Sequence, residues 1–290
     1  MAHTLKTRTD LTGKVVAITG GARGIGRSTA AAFVARGAKV VIGDVDLELV
    51  EKTAAELGAP VGAEIVGLPL DVTDRSSFAA FLDEAEVLFG PLDVLVNNAG
   101  IMPTGLYAEE SDAMTDRMID INVHGVLNGS KLAAQRFVAR GEGHLVNVAS
   151  LAGINPAPAL ATYCGTKHFV LGFTESLHRE LAEHGVGVTA VLPGVVRTEL
   201  SAGAKVPGWA EGLSTVDPED IAETIVDVVG TGKMRAICPK ALGRTIKVAA
   251  LLPERGRLRF ERMTRFDQAF TSADPAARAK YHARITGAGK

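Results

Sequence analysis

Disulfide frameworks, membrane-length apolar runs and linkers are all missing from this sequence. Only two of its 290 residues are cysteine, Cys164 and Cys238. That is too few for a stapled scaffold, so the chain is expected to fold on its own core in a reducing compartment. No window approaches the roughly 20 apolar residues that a bilayer span requires. The opening stretch MAHTLKTRTDLTGK lacks the continuous apolar core of a secretory leader. A cytoplasmic location is the expectation. With no Pro/Ser-rich linker and no internal repeat, one domain is expected over residues 11–238, followed by an extension over residues 239–290.

What is present is ordinary globular material, 47% hydrophobic and 22% charged. The net charge of −2 hides an asymmetry: from Lys240 to Lys290 twelve Lys/Arg face four Asp/Glu, which leaves −10 on the rest. An acidic body without a reading motif argues against a nucleic-acid partner.

Short apolar runs alternate with longer helical patterns. Strands are expected at Val15–Thr19, Lys39–Asp44, Glu64–Leu70, Val94–Asn97, His144–Ala149, Gly187–Leu192 and, more weakly, Arg235–Cys238. Several are apolar without alternation, as parallel strands buried on both faces are. Long helices are expected over Glu109–Val138 and Ala161–His184, with Thr73 or Asp74 capping another. Strand–helix alternation of this kind predicts an α/β fold, a doubly wound parallel sheet of about seven strands with helices on both faces. Ligands of such sheets sit beyond the carboxyl ends of the strands.

The residues just after each strand carry the chemistry that this rule anticipates. After the first comes TGGARGIG, with Gly20, Gly24 and Gly26 spaced so that backbone amides and a helix N-terminus can approach a pyrophosphate. Asp44 ends the second strand, 18 residues beyond Gly26, where a carboxylate can accept from ribose hydroxyls; it could equally cap a helix, a role for which Asp46 competes. Asp71-Val72 follows the third strand and Asn97-Asn98-Ala99-Gly100 the fourth; small and amide side chains there would let adenine and its ribose pass close to the backbone, although either could be simple turn chemistry.

Ser150 ends the fifth strand, and Tyr163 and Lys167 follow at helical i,i+4 spacing. A phenol ordinarily ionises near pH ~10; moving that to neutrality takes about 4 kcal/mol, which an ammonium in a partly dry site plus a cofactor cation could supply. The pair makes sense as a tuned acid/base, with the serine hydroxyl holding a substrate oxygen. Asn122 stands inside a long helical pattern where asparagine is intrinsically unfavourable. Taken singly, each of these has an ordinary structural explanation; their conjunction does not.

On these residues the chain resembles the short-chain dehydrogenase/reductases. The motifs are T-G-x-x-x-G-x-G at Thr19–Gly26 (with Arg23 and Ile25 in its variable places), N-N-A-G at Asn97–Gly100, Asn122, Ser150, Y-x-x-x-K at Tyr163–Lys167, and Pro193-Gly194 leading to Thr198. The resemblance implies a Rossmann-type fold and an NAD(P)-dependent oxidoreductase that interconverts a secondary alcohol and a ketone. It makes Tyr163 the general acid/base. Lys167 would tune it and bind the nicotinamide ribose, Ser150 would polarise the substrate oxygen, and Asn122 would hold a relay water through a local helix irregularity. Pro193, Gly194, Val196 and Thr198 would fix the carboxamide. In the family an acid at Asp44 favours NAD by repelling a 2′-phosphate, whereas a base at Arg23 often accompanies NADP; weighing the carboxylate more heavily, NAD is expected. An epimerase or dehydratase on the same fold, or a nucleotide-binding scaffold without catalysis, are the alternatives. No metal is implied.

Met102 and Leu151, beside Ser150 and Tyr163, suggest an apolar substrate pocket, and Trp209, in the flap-like stretch Thr198–Thr215, is expected to cover it. A hydrophobic alcohol or ketone is therefore the expected substrate. The family also implies a homodimer or homotetramer through its two long helices. The basic tail departs from the family's usual ending: Leu242, Ile246 and Ala249 share a helical face that could lie on an anionic membrane or, as Pro253 favours by breaking the stripe, pack on protein.

Overall fold

The computed structural model describes residues 10–60, 62–243, 253, 255–256, 270–271 and 274–286. In chain order its elements are β1 (Val15–Thr19), α1 (Gly24–Val34), β2 (Lys39–Asp44), α2 (Leu47–Gly58), β3 (Ile65–Pro69), α3 (Arg75–Phe89) and β4 (Val94–Asn97). Then come α4 (Asp112–Ile119), α5 (Gly125–Arg140), β5 (Gly143–Val148), α6 (Ala161–Ala182), β6 (Val186–Pro193) and β7 (Val195–Val196). The described chain ends with α7 (Gly208–Ser214), β8 (Thr215–Val216), α8 (Pro218–Val228), β9 (Arg235–Cys238) and α9 (Pro275–Thr286). Seven strands form one sheet in the order β3-β2-β1-β4-β5-β6-β9, every pair parallel. Among the described residues no helix is long and apolar enough to cross a membrane.

The continuous apolar runs of the strands feed two cores at once, because successive side chains point to opposite faces. Val16, Ile18, Val40, Ile42, Val94 and Val96 pack with Phe33 of α1, Val50 of α2 and Ile221 and Ile225 of α8. Their neighbours Val15, Ala17, Val41 and Leu95 pack with Phe78 and Leu82 of α3, Phe137 of α5 and Leu181 of α6. Parallel strands therefore need no polar face, and the sheet is sandwiched by helices on both sides. Asp74 caps α3, its carboxylate accepting from the Ser76 and Ser77 amides at 2.7 and 3.3 Å.

The single long helix expected over Glu109–Val138 is corrected to two. α4 and α5 are joined by a π turn, Asp120–His124, closed by the Gly125 amide on the Asp120 carbonyl. The turn carries Asn122, whose side chain makes three buried hydrogen bonds that a regular α-turn residue facing solvent would not need. Of the amphipathic face expected in the tail, Ile246 and Ala249 lie outside the described residues.

Candidate active site

Thr19, the last residue of β1, is buried, and its hydroxyl ties two loops together. Thr19 Oγ1 accepts from the amides of Asn98 (3.0 Å) and Ala99 (2.9 Å), while Asn98 Nδ2 donates to the carbonyls of Thr19 (2.9 Å) and Gly20 (3.1 Å). The contact is close enough to demand glycine: a Cβ on Gly20, whose φ is +65°, would stand 2.9 Å from Ala99 Cα. A Cβ on Gly26 would stand 2.1 Å from the Gly20 carbonyl oxygen. Gly26 lies beneath the turn rather than in the cleft lining, so its task is to let the turn fold back on α1. That helix starts at Gly24 with no acid in its first turn and no side-chain cap from Arg23. Its leading amides keep the positive end of the helix dipole uncompensated, which suits an anion.

Asp44, at the end of β2, accepts from the Ala22 amide (3.3 Å) and the Asp46 amide (3.2 Å). Asp46, not Asp44, caps α2, accepting from the Leu49 amide at 3.3 Å. Asp46 also holds Arg23, whose Nη2 lies 2.5 Å from its Oδ2. The two signals that conflict in the sequence are thus physically unequal: the base is paired with a neighbouring acid, while Asp44 pairs with no cation among the described residues. Asp71 spends one oxygen on its own turn, accepting from the Thr73 amide (2.9 Å) and hydroxyl (2.7 Å).

Beyond β5 the reactive residues converge. Ser150 Oγ accepts from the Ala152 amide at 3.1 Å. Tyr163 and Lys167, one turn apart on α6, are both buried. Burial pushes the Tyr163 phenol above its ordinary range, and a hydrogen bond with Ser150 pulls the other way. Burial likewise brings the Lys167 ammonium down to about 8. Lys167 Nζ donates to the Val148 carbonyl at 2.9 Å and lies 5.7 Å from the Tyr163 ring centroid. The dominant influence on the phenol is therefore desolvation, not the lysine.

Asn122 is fully buried. Its Oδ1 accepts from the Ile101 amide (2.9 Å), and its Nδ2 donates to the Ile101 carbonyl (2.9 Å) and to Thr166 Oγ1 (3.2 Å). The Asn122 side chain is thus committed to protein partners, while the π turn that carries it supplies the helix irregularity. A Cβ on Gly100 would enter the gap between Asn122 Oδ1 (3.1 Å) and Lys167 Nζ (3.7 Å), so glycine keeps that space clear. After β6, the Gly194 amide bonds to the Cys238 carbonyl (2.8 Å) and the Thr198 amide to the Val196 carbonyl (2.7 Å).

All of these strand ends open into one cleft of about 1950 Å³. Its lining includes Gly20, Arg23, Gly24, Ile25, Asp44, Asp71, Val72, Asn98, Ala99, Gly100, Met102, Ser150, Leu151, Tyr163, Lys167, Pro193, Gly194, Val196 and Thr198. That volume exceeds the ~300–1,000 Å³ of a single small-ligand pocket, leaving room for an extended ligand and a second one beside it. Two expected members are outside it besides Gly26. Asn122 sits behind the Ile101 backbone, and Trp209, which is 55% exposed, lines no part of the cleft. In its place stands α9: Tyr281, Arg284 and Ile285 line the cleft. Arg278, Tyr281 and Ile285 recur at helical i, i+3, i+7 spacing, which is the signal from which this face could have been found.

The profile of the short chain dehydrogenase family matches residues 14–206. "Probable oxidoreductase EphD" of Mycobacterium tuberculosis is 37% identical over 247 residues, covering 78% of this chain and 41% of EphD, so the chain spans about two fifths of that longer protein. Sorbitol dehydrogenase of Cereibacter sphaeroides is 40% identical over 190 residues, covering 65% of this chain and 73% of that enzyme. The crystal structure of a short chain dehydrogenase/reductase from Burkholderia phymatum in complex with NAD superposes with a TM-score of 0.75 at 27% identity, over 83% of this chain and 94% of the other. Fold and profile together define a Rossmann-type sheet that carries the short chain dehydrogenase pattern. The chain belongs to the short-chain dehydrogenase family.

Proposed function

We propose that this protein is an NAD-dependent dehydrogenase acting between a secondary alcohol and a ketone on a hydrophobic body. The observation that carries this is the convergence of Ser150, Tyr163 and Lys167 on the same cleft as the glycine turn. In the reductive direction Tyr163 gives its phenolic proton to the substrate oxygen, which Ser150 orients by hydrogen bonding. In the oxidative direction the proton returns to Tyr163. Burial keeps the resting phenol in its protonated form. Lys167 stabilises the phenolate electrostatically, and Asn122 positions the Ile101 backbone beside it. Bound nicotinamide supplies the hydride chemistry.

The residues present fit that cofactor. The glycine turn and the uncompensated start of α1 suit a pyrophosphate, Asp44 suits ribose hydroxyls, and the backbone from Pro193 to Thr198 suits a carboxamide. NAD over NADP rests on Asp44 together with the Arg23–Asp46 pair, which ties up the cation of that turn that a 2′-phosphate would need. The substrate end is apolar, with Ile101, Met102, Met118 and Leu160 clustered around Tyr163. A homo-oligomer through the α5 and α6 faces completes the proposal, supported by Phe169 stacked on Phe173 at 5.8 Å on the outer side of α6. The test is a panel of alcohols and ketones with either nucleotide, followed by nicotinamide absorbance. Turnover with a higher kcat/KM for NAD, reduced by about 10³-fold in Tyr163→Phe while NAD still binds, is the expected result. Turnover that survives Tyr163→Phe overturns the mechanism, and a clear preference for NADP overturns the cofactor assignment.

A further inference from the structure

The far end of the cleft is closed by a segment that the family motifs do not reach. Arg278 of α9 is 2% exposed. Its hydrogen-bond acceptors are three backbone carbonyls, Met102 (2.7 Å), Leu200 (3.0 Å) and Ala202 (3.1 Å), together with His282 Nε2 at 3.5 Å. These carbonyls belong to the two loops that flank the substrate end, one after β4 and one after β7. Burying a guanidinium is costly unless its donors are met, so this strap holds a defined geometry. One turn on, Tyr281 Oη accepts from the Met102 amide at 2.7 Å. Both polar groups of one loop residue are therefore bound by one helix.

The start of α9 is docked as tightly. The Asp274 amide donates to the Gly203 carbonyl at 3.0 Å, and a Cβ on Gly203, whose φ is +74°, would stand 2.7 Å from the Asp274 carbonyl. The apolar side of the helix enters the reactive cluster: Tyr281 and Ile285 pack with Ile101, Met102, Leu160, Tyr163 and Cys164. Arg284 pairs with Glu199 and stands 5.4 Å from the Tyr281 ring centroid, with Arg278 at 5.3 Å. A chain of contacts runs from Tyr281 through Met102 and Ile101 to Asn122 and Thr166 on the helix that carries Tyr163.

We infer that α9 is the specificity wall of the site: Tyr281 sets how long a substrate body fits beyond Tyr163, and Arg278 is a positioning residue that locks the two flanking loops at that spacing. This rests on the proposed dehydrogenase function. The substrate class it selects is an apolar alcohol or ketone of limited length, because the buried side chains of the wall are an aromatic ring and an isoleucine, while the Arg284 guanidinium is held by Glu199.

The test is a ladder of 2-alkanols of increasing chain length with NAD, run on the full chain and its variants. Each methylene that newly fits is worth up to about 10-fold, so Tyr281→Ala moves the kcat/KM optimum to longer substrates and changes the long-to-short ratio by at least about 10-fold. Tyr281→Phe keeps the ring and the ratio. Arg278→Met raises KM across the ladder by about 10-fold with a smaller change in kcat, and Arg278→Lys restores part of it, a split that simple loss of folded protein does not give. NAD affinity stays unchanged in all of them. An unchanged ladder in Tyr281→Ala overturns the inference. If the parent turns over none of the ladder with either nucleotide, the proposed function has failed, and the wall is judged without turnover. In a Cys238→Ser background, maleimide labelling of the buried Cys164 accelerates at least about 10-fold in Tyr281→Ala if the ring covers it, and labelling at the parent's rate overturns the wall.

Discussion

On one side of the cleft, the glycine turn and the loop after β4 are joined by short-range geometry. A single threonine hydroxyl receives two amides, and backbone meets backbone so closely that only glycine fits at positions 20 and 26. On the other side, the loop after β4 is held by side chains that arrive from 176 and 179 residues away, an arginine and a tyrosine on a helix outside the sheet. The first arrangement tolerates almost no change of residue but asks nothing of the ligand beyond a phosphate and two hydroxyls. The second can be altered one side chain at a time without disturbing the sheet. A fold that keeps one half fixed and the other replaceable can serve many substrates with one cofactor.

Lys167 stands where the two halves meet, and changing it has the largest expected effect. In the proposed mechanism Lys167→Met removes the cation that stabilises the phenolate, so kcat/KM is expected to fall by about 10²–10³-fold. Stability moves the opposite way. The folded ammonium ionises near 8, below its ordinary 10.5. Under pH 8 the group is charged in both states, and the cost of burying that charge is fully present. From pH 8 to 10.5 the unfolded chain holds more protons, so the cost fades as pH rises. The variant is therefore more stable than the parent below pH 8, by up to roughly 3 kcal/mol, and the gain shrinks toward pH 10.5. Urea unfolding at pH 7 and pH 10 reads this directly; equal gains at both would show that burial of the charge is not the cause.

Glycine substitutions separate the halves next. Gly26→Ala forces a Cβ onto the Gly20 carbonyl, 2.1 Å away. The turn must shift, at a cost of about 1–3 kcal/mol and with weaker NAD binding. Gly165, on α6 beside the reactive residues, has nothing within 4 Å of a built Cβ. Gly165→Ala is expected to stabilise by about 0.4–1 kcal/mol. Denaturation midpoints and NAD titration measure both, and a tolerated Gly26→Ala would mean that the tight turn is not required.

The glycine-turn half was largely legible in the sequence, because strand ends are marked by periodicity and by motif residues at fixed offsets. All seven sheet strands lie within a residue of where the apolar runs put them. What was hidden depends on side-chain direction and on distant contacts. Asn122 looks like a misplaced helix residue, yet nothing local says that its amide faces Ile101. Trp209 suggests a cover by size alone, while the rings of the tail that reach the cleft are Phe270 and Tyr281, in a stretch whose charge draws attention away from them. The helical spacing of Tyr281 with Arg278 and Ile285 is a weak signal until a partner surface is known.

The smallest expected effect concerns the cation at the mouth of the glycine turn. Arg23 belongs to the motif, but its guanidinium lies 2.5 Å from Asp46, a half-exposed pair of modest strength. Asp46→Ala releases it toward the space beside Asp44, where the proposed cofactor site would place a 2′-phosphate. The substitution also deletes the cap of α2, which costs about 0.5–2 kcal/mol. An exposed cation freed in water is worth less than about 1 kcal/mol, so the NADP-to-NAD ratio of kcat/KM rises by about 2- to 5-fold and not by orders of magnitude. Asp44 still repels the phosphate, and the preference remains with NAD. A reversal of preference in Asp46→Ala would show that the Arg23–Asp46 pair, rather than the Asp44 carboxylate, is what excludes NADP.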